Sequence, residues 1–70
     1  MDKEIKVVGM SCSHCKSRVE GALKSLLGKG VSVDLASGIC AVKNAKAVEN
    51  DTIKSIVEAL GYDVEYIKDI

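Results

Sequence analysis

The sequence predicts an α+β fold whose elements run strand–helix–strand–strand–helix–strand. Three observations predict it. Two segments repeat apolar residues at helical spacing, several short segments alternate apolar with polar residues, and glycines or small polar residues punctuate the junctions. With 70 residues the chain has the size of one domain with a modest core, and residues 1–70 are expected to form that domain.

Residues 3–8, Lys-Glu-Ile-Lys-Val-Val, read as the first strand, with Ile5 and Val7 on one face. Gly9 to His14 fits neither periodicity and reads as a loop. A helix is expected from about Ser13 to Leu27. Val19, Leu23, Leu26 and Leu27 make its apolar stripe, while Lys16, Arg18, Glu20 and Lys24 lie off it. Gly28 and Gly30 end it.

Val31, Val33 and Leu35 alternate with Ser32 and Asp34 in a half-buried second strand. Ala36-Ser37-Gly38 is the turn of a hairpin, and Ile39 to Lys43 returns as the third strand. Asn50 or Asp51 is expected to cap a second helix over 51–60. Its stripe of Ile53, Ile56, Val57 and Leu60 has the spacing i, i+3, i+4, i+7, and Gly61 stops it. Tyr62, Val64 and Tyr66 alternate with Asp63 and Glu65 in a last strand. Each half is then a βαβ unit with a right-handed crossover. The simplest packing is a ferredoxin-like βαββαβ sandwich: a four-stranded antiparallel sheet with both helices on one face.

Ten Lys and Arg balance ten Asp and Glu, so the formal net charge is zero. That balance argues against a general affinity for nucleic acid or for anionic lipid. Tyr62 and Tyr66 are the only aromatic residues, so no platform exists on which bases could stack. No apolar run is long enough to insert across a membrane, and the polar start Met1-Asp2-Lys3-Glu4 lacks a signal-peptide core. The expected location is the cytoplasm, where thiols stay reduced. Three Cys, an odd number, also fit a secreted disulfide framework poorly. Met1 just before the first strand and Ile70 just after the last favour a free-standing protein.

The chemistry concentrates in Gly9-Met10-Ser11-Cys12-Ser13-His14-Cys15. Two Cys separated by two residues at a loop-to-helix junction can point both sulfurs at one ion. Cys15 falls in the first helical turn, where free backbone N–H groups and the helix dipole favour a thiolate; Lys16 adds positive charge. Thiolates select soft ions. Two of them satisfy Cu(I) at low coordination number but not a structural Zn(II), which takes four ligands. Cys40 and His14 are the only other plausible soft ligands. Cys-x-x-Cys alone also serves redox enzymes and zinc ribbons.

The motif from Gly9 to Cys15, followed by Val19-Glu20, resembles the heavy-metal-associated domain, and more narrowly the bacterial copper chaperones that feed copper-transporting P-type ATPases. The resemblance extends to Val31-Ser32-Val33-Asp34-Leu35, the Ala36-Ser37-Gly38 turn and Leu60-Gly61-Tyr62-Asp63-Val64. It implies a ferredoxin-like fold, an exposed metal loop, Cys12 and Cys15 as ligands, Met10 packed beneath the loop, and Tyr62 close to the site. Ser11 before the first Cys suits the copper branch. Two departures stand out: Asn44 lies near the place of an aromatic residue usual at the end of the third strand, and Cys40 is an extra thiol.

The expected function is therefore a non-enzymatic cytosolic carrier that holds Cu(I) on Cys12 and Cys15 and passes it by thiolate exchange to a copper-transporting P-type ATPase. Ag(I) fits the same donors; mercury- or zinc-handling versions, with Hg(II) or Zn(II), and an excised ATPase domain are the alternatives within the fold. Outside it stand a small thiol–disulfide oxidoreductase and a purely structural interaction module. The chain is expected to be a monomer without metal, with a metal-bridged dimer as an alternative in which His14 supplies a third ligand. His14 otherwise reads as exposed, Cys40 as a small core residue, Met10 as core, and Tyr62 as either a neighbour of the site or plain packing. Lys16, Arg18 and Lys24 read first as a solvated helix face and second as a docking patch for an acidic partner.

Overall fold

The computed structural model describes residues 2–45 and 47–70. The elements are β1 (Lys3–Val8), α1 (Ser13–Leu27), β2 (Val31–Asp34), β3 (Ile39–Val42), α2 (Asn50–Ala59) and β4 (Asp63–Asp69). One sheet has the order β2-β3-β1-β4, with every neighbouring pair antiparallel. This is the βαββαβ arrangement that the periodicities predict.

The two helices cover one sheet face. Ile5 and Val7 from β1, Val33 from β2 and Cys40 and Val42 from β3 point into a single cluster with Val19, Leu23 and Leu27 of α1 and Ile53 and Val57 of α2. Each fully buried aliphatic side chain there contributes about 1.5–3 kcal/mol. Leu26, Ile56 and Leu60, also on the expected stripes, are only half-buried.

Local chemistry sets the boundaries. α1 ends where Gly28 takes φ +108 and donates its N–H to the Lys24 carbonyl at 3.0 Å. Gly30 is needed for space: a Cβ there would run into the backbone carbonyl of Lys43, whose N–H bonds the Gly30 carbonyl at 2.9 Å. β2 stops at Asp34, one residue before the expected Leu35. The Asp34 carboxylate accepts hydrogen bonds from the Ala36 N–H (3.1 Å) and the Ser37 hydroxyl (3.0 Å), which turns the chain. β3 ends at Val42, and Asn44 follows at φ +53, a conformation Asn tolerates better than most residues.

Two expectations are corrected. The N-cap of α2 is Glu49, without a side-chain capping bond, rather than Asn50 or Asp51. Asn50 is already helical, and its side-chain oxygen accepts from Lys3 Nζ at 2.9 Å; Lys3 Nζ also reaches Asp69 at the same distance. In β4 the alternation breaks. The register against β1 shifts between Lys6 and Val7, so Val64 pairs with Val7 but Tyr66 pairs with Lys6, leaving Glu65 as a bulge. Tyr66 therefore lies on the open face, donating to Glu4 at 2.7 Å, and Ile67 opposite Ile5 packs against the core instead.

This topology creates two poles. Lys3, Asn50 and Asp69 meet at one. At the other, β1 runs out at Val8 opposite Asp63, so the loop after β1 and the residues before β4 lie side by side.

Candidate metal centre

The loop between β1 and α1 begins at Gly9, with φ +104, a conformation that favours glycine. A Cβ on Gly9 would sit 3.5 Å from the Tyr62 ring, so loop and ring are in contact. Tyr62 itself is buried, 9% exposed, between Gly61 at the end of α2 and Asp63 at the start of β4. Met10 is half-buried and packs against the core, as expected.

Cys12 is the N-cap residue of α1, in extended conformation, and makes no side-chain capping bond. Its thiol is thus not consumed by the helix end, although Lys16 N–H bonds the Cys12 carbonyl at 3.2 Å. Cys12 is exposed and Cys15 half-buried in the first turn. Their Sγ atoms lie 3.3 Å apart, a contact rather than a covalent bond, which would be about 2.05 Å. All three cysteines are free thiols.

The surroundings of Cys15 favour its anion. The Tyr62 hydroxyl, the backbone at Ser11 and the neighbouring Cys12 thiol together draw the Cys15 thiol down from 9.0 to about 7. Reciprocally, the Cys15 sulfur holds the Tyr62 hydroxyl above its ordinary range, while Arg18 pulls the other way. Cys40 is the opposite case. It lies in β3 between Val33 and Ile5, fully buried, and burial with the charge of Glu20 pushes it up to about 11. The structure thus brings Cys12, Cys15, Met10 and Tyr62 to one pole and leaves Cys40 in the core.

His14, between the two Cys, is exposed. Among the described residues no three His, Cys, Asp or Glu side chains come together to hold an ion. Two neighbouring thiols suit a soft ion of low coordination number better than a four-ligand zinc centre. Of the basic residues, Lys24 is paired with Glu20 at 3.0 Å along α1.

Among the described residues no helix is long and apolar enough to cross a membrane. A family model described as the heavy-metal-associated domain matches residues 4–63. The copper chaperone CopZ of Staphylococcus epidermidis is 42% identical over 65 residues, which cover 90% of this chain and 96% of that protein. A probable copper-exporting P-type ATPase of Archaeoglobus fulgidus is 36% identical over 66 residues, 91% of this chain but 8% of the ATPase. Among solved structures, a chain in the Atx1–Cu(I)–Ccc2a complex superposes with a TM-score of 0.75 at 32% identity, covering 91% of this chain and 90% of that one.

Proposed function

The chain belongs to the heavy-metal-associated domain family, and from that premise we propose that it carries Cu(I) on Cys12 and Cys15 and delivers it to a copper-transporting P-type ATPase. The observation that carries this reading is the pair of thiols 3.3 Å apart at an exposed loop-to-helix junction, one of them drawn down to about 7. Near neutral pH that thiol is substantially ionised, and thiolate is the form that binds metal.

Handover follows from low coordination. An ion held by two sulfurs keeps room for a third. A thiolate of the acceptor attacks the exposed ion, and a three-coordinate intermediate forms. Cys12 and Cys15 then leave in turn, each sulfur–metal bond broken being replaced by one to the acceptor. Cys12 is exposed at the N-cap and Cys15 is half-buried within α1, so Cys12 is the ligand that leaves first. The protein supplies positioning and charge and forms no product of its own, so it works as a carrier rather than an enzyme. Its place is the cytoplasm, as one domain that is monomeric without metal.

The chaperone relative, matched over nearly its whole length, supports a carrier. The ATPase match favours a second reading, in which this domain is the copper-receiving module of a transporter. Both use the same centre. The test is an anaerobic titration of the reduced protein against Cu(I) held by a chromophoric chelator, with Zn(II), Ag(I) and Hg(II) in parallel. Capture of one Cu(I) per chain, with weak Zn(II) binding, is expected. Tight Zn(II) with weak Cu(I) overturns the copper assignment, and sedimentation of the loaded protein reads whether metal bridges two chains.

A further inference from the structure

The two cysteines of the loop-to-helix junction are placed for chemistry with each other as well as with an ion. Their Sγ atoms lie 3.3 Å apart, and a disulfide needs about 2.05 Å. Closing that gap takes little more than an ångström. Cys12 is free to supply the movement: it is exposed, and as the N-cap of α1 its side chain makes no capping bond. Cys15 sits in the first turn of α1 and is half-buried. The third thiol takes no part. Cys40 is fully buried in β3, opposite Ile5 on one side and Val33 on the other. A disulfide between residues 12 and 15 encloses a very short loop, so it removes little entropy from the unfolded chain. It is therefore a poor staple and, being exposed, belongs to the readily reduced kind of disulfide.

We propose that the Cys12–Cys15 pair is a redox switch: exchange with a small-molecule disulfide of the glutathione class closes it, and closure and metal occupancy exclude each other. The proposal rests on the carrier reading for its purpose and assigns a regulation to that same site. The Cys12 thiolate, the more accessible of the two, attacks one sulfur of the small disulfide. That S–S bond breaks, one small thiolate leaves and takes up a proton, and a mixed disulfide forms on Cys12. The Cys15 thiolate then attacks the Cys12 sulfur and expels the second small thiolate. The protein loses two electrons and two protons, and one small disulfide becomes two small thiols. A closed pair has no thiolate, the form that binds metal. A loaded pair has both sulfurs engaged by the ion, so neither is free to attack. In a reduced thiol pool the chain stays open for metal. As the pool is oxidised, the empty chain closes while the loaded chain keeps its ion.

The test equilibrates the reduced, metal-free protein, without oxygen, in mixtures of reduced and oxidised glutathione that run from one extreme to the other. Remaining thiols are alkylated in denaturant and located by mass spectrometry. Wild type and Cys40→Ala are expected to lose the alkylatable thiols of Cys12 and Cys15 together, to carry no glutathione, and to regain both thiols in the reduced mixture. Cys15→Ser is expected to stop at the mixed disulfide on Cys12. Thiols that stay alkylatable in the most oxidised mixture overturn the proposal. So does a wild-type chain that stops at a glutathione adduct, or that joins Cys12 or Cys15 to Cys40 or to a second chain. The oxidised protein is then titrated with Cu(I), and complete loss of capture is expected, restored by reduction. Cu(I)-loaded protein placed in oxidised glutathione is expected to keep both thiols. Undiminished capture by the oxidised chain, or oxidation of the loaded chain at the metal-free rate, overturns the mutual exclusion. The glutathione arm contains no metal, so the two readings fail separately. A chain that closes and reopens its pair but captures no Cu(I) overturns the carrier reading, and one that captures Cu(I) but never closes overturns the switch.

Discussion

Cys15 and Cys40 are the same residue in opposite surroundings. Cys15 stands at the start of a helix among hydrogen-bond donors, and its thiol is drawn down to about 7. Cys40 stands in β3, one of the two central strands, where burial pushes its thiol up to about 11. The first is suited to binding metal and the second behaves as a small apolar side chain. The contrast extends to their regions. The core takes its stability from aliphatic side chains of β1, β2, β3, α1 and α2, whereas the loop that carries Cys12 is largely exposed and buries little. Chemistry and stability are thus assigned to different parts of a 70-residue chain, and each can be perturbed without the other.

The sharpest way to break that division is to remove the proposed ligands. Cys12→Ser or Cys15→Ser is expected to weaken Cu(I) binding by more than the roughly 10–100-fold that losing an outer partner of a metal centre costs. The melting temperature of metal-free Cys12→Ser is expected to move by only about 3 °C, since exposed substitutions rarely exceed about 0.5 kcal/mol. Chelator competition and a thermal melt read the two effects. A Cys12→Ser protein that melts far lower would mean that the loop thiols hold the fold together.

The converse is Leu23→Ala, at a fully buried position of α1. Its expected cost is about 3 kcal/mol, from lost transfer energy and a cavity. In a domain this small that is a large share of the total stability. Urea denaturation checks it. Copper is expected to bind the folded fraction as it binds the wild type, so raising the metal concentration should recover part of the lost stability.

pH separates the two thiols by sign. Unfolded, both titrate near 9.0. The folded value of Cys15 is depressed, so its stabilising contribution is complete above pH 9, shrinks as pH falls toward 7, and is gone below. Cys40 keeps its proton in the folded state until about pH 11. Its contribution is complete below pH 9 and is lost as pH rises from 9 toward 11. Urea denaturation of the reduced, metal-free protein across that range should show Cys15→Ser without the rising limb and Cys40→Ala with a shallower falling one. Identical pH profiles for wild type and Cys15→Ser would remove the claim that the loop favours a thiolate.

How much of this was legible in the sequence depends on how local each signal is. α1 is delimited correctly because its stripe and Gly28 act within a few residues. Cys12 and Cys15 are legible for the same reason, their spacing and place before a helix being enough to set them side by side. β4 is misread beyond Val64 because Tyr66 and Ile67 are both apolar enough to face inward, and only the register against β1 decides between them. The α2 cap is misread because Asn50 is taken by Lys3, 47 positions away in the chain. The nearness of Tyr62 to the loop at Gly9 needs the end of α2 to be placed beside the start of α1, which spacing within one element cannot supply.

The smallest expected effect sharpens the division between the regions most cleanly. Gly21 lies in the interior of α1, exposed, and a Cβ built there meets no atom within 4 Å. Nothing in the fold requires glycine at this position, yet glycine costs about 1 kcal/mol against alanine in a helix interior. Gly21→Ala is therefore expected to stabilise the protein by about 1 kcal/mol and raise its melting temperature by roughly 4–8 °C. Gly30→Ala is expected to do the reverse, because its Cβ would strike the Lys43 carbonyl. Thermal melts of the two variants decide. Since Gly21 is distant from both ligands along α1 and touches neither loop nor Tyr62, Cu(I) affinity should stay within about twofold of wild type, well under the tenfold that 1.4 kcal/mol of altered binding represents. A stabilised Gly21→Ala that binds copper normally shows that the core sets how firmly the chain folds while the loop sets what it holds. A stabilised variant with altered affinity would mean that the metal loop draws on the flexibility of α1, and the two regions would have to be treated as one.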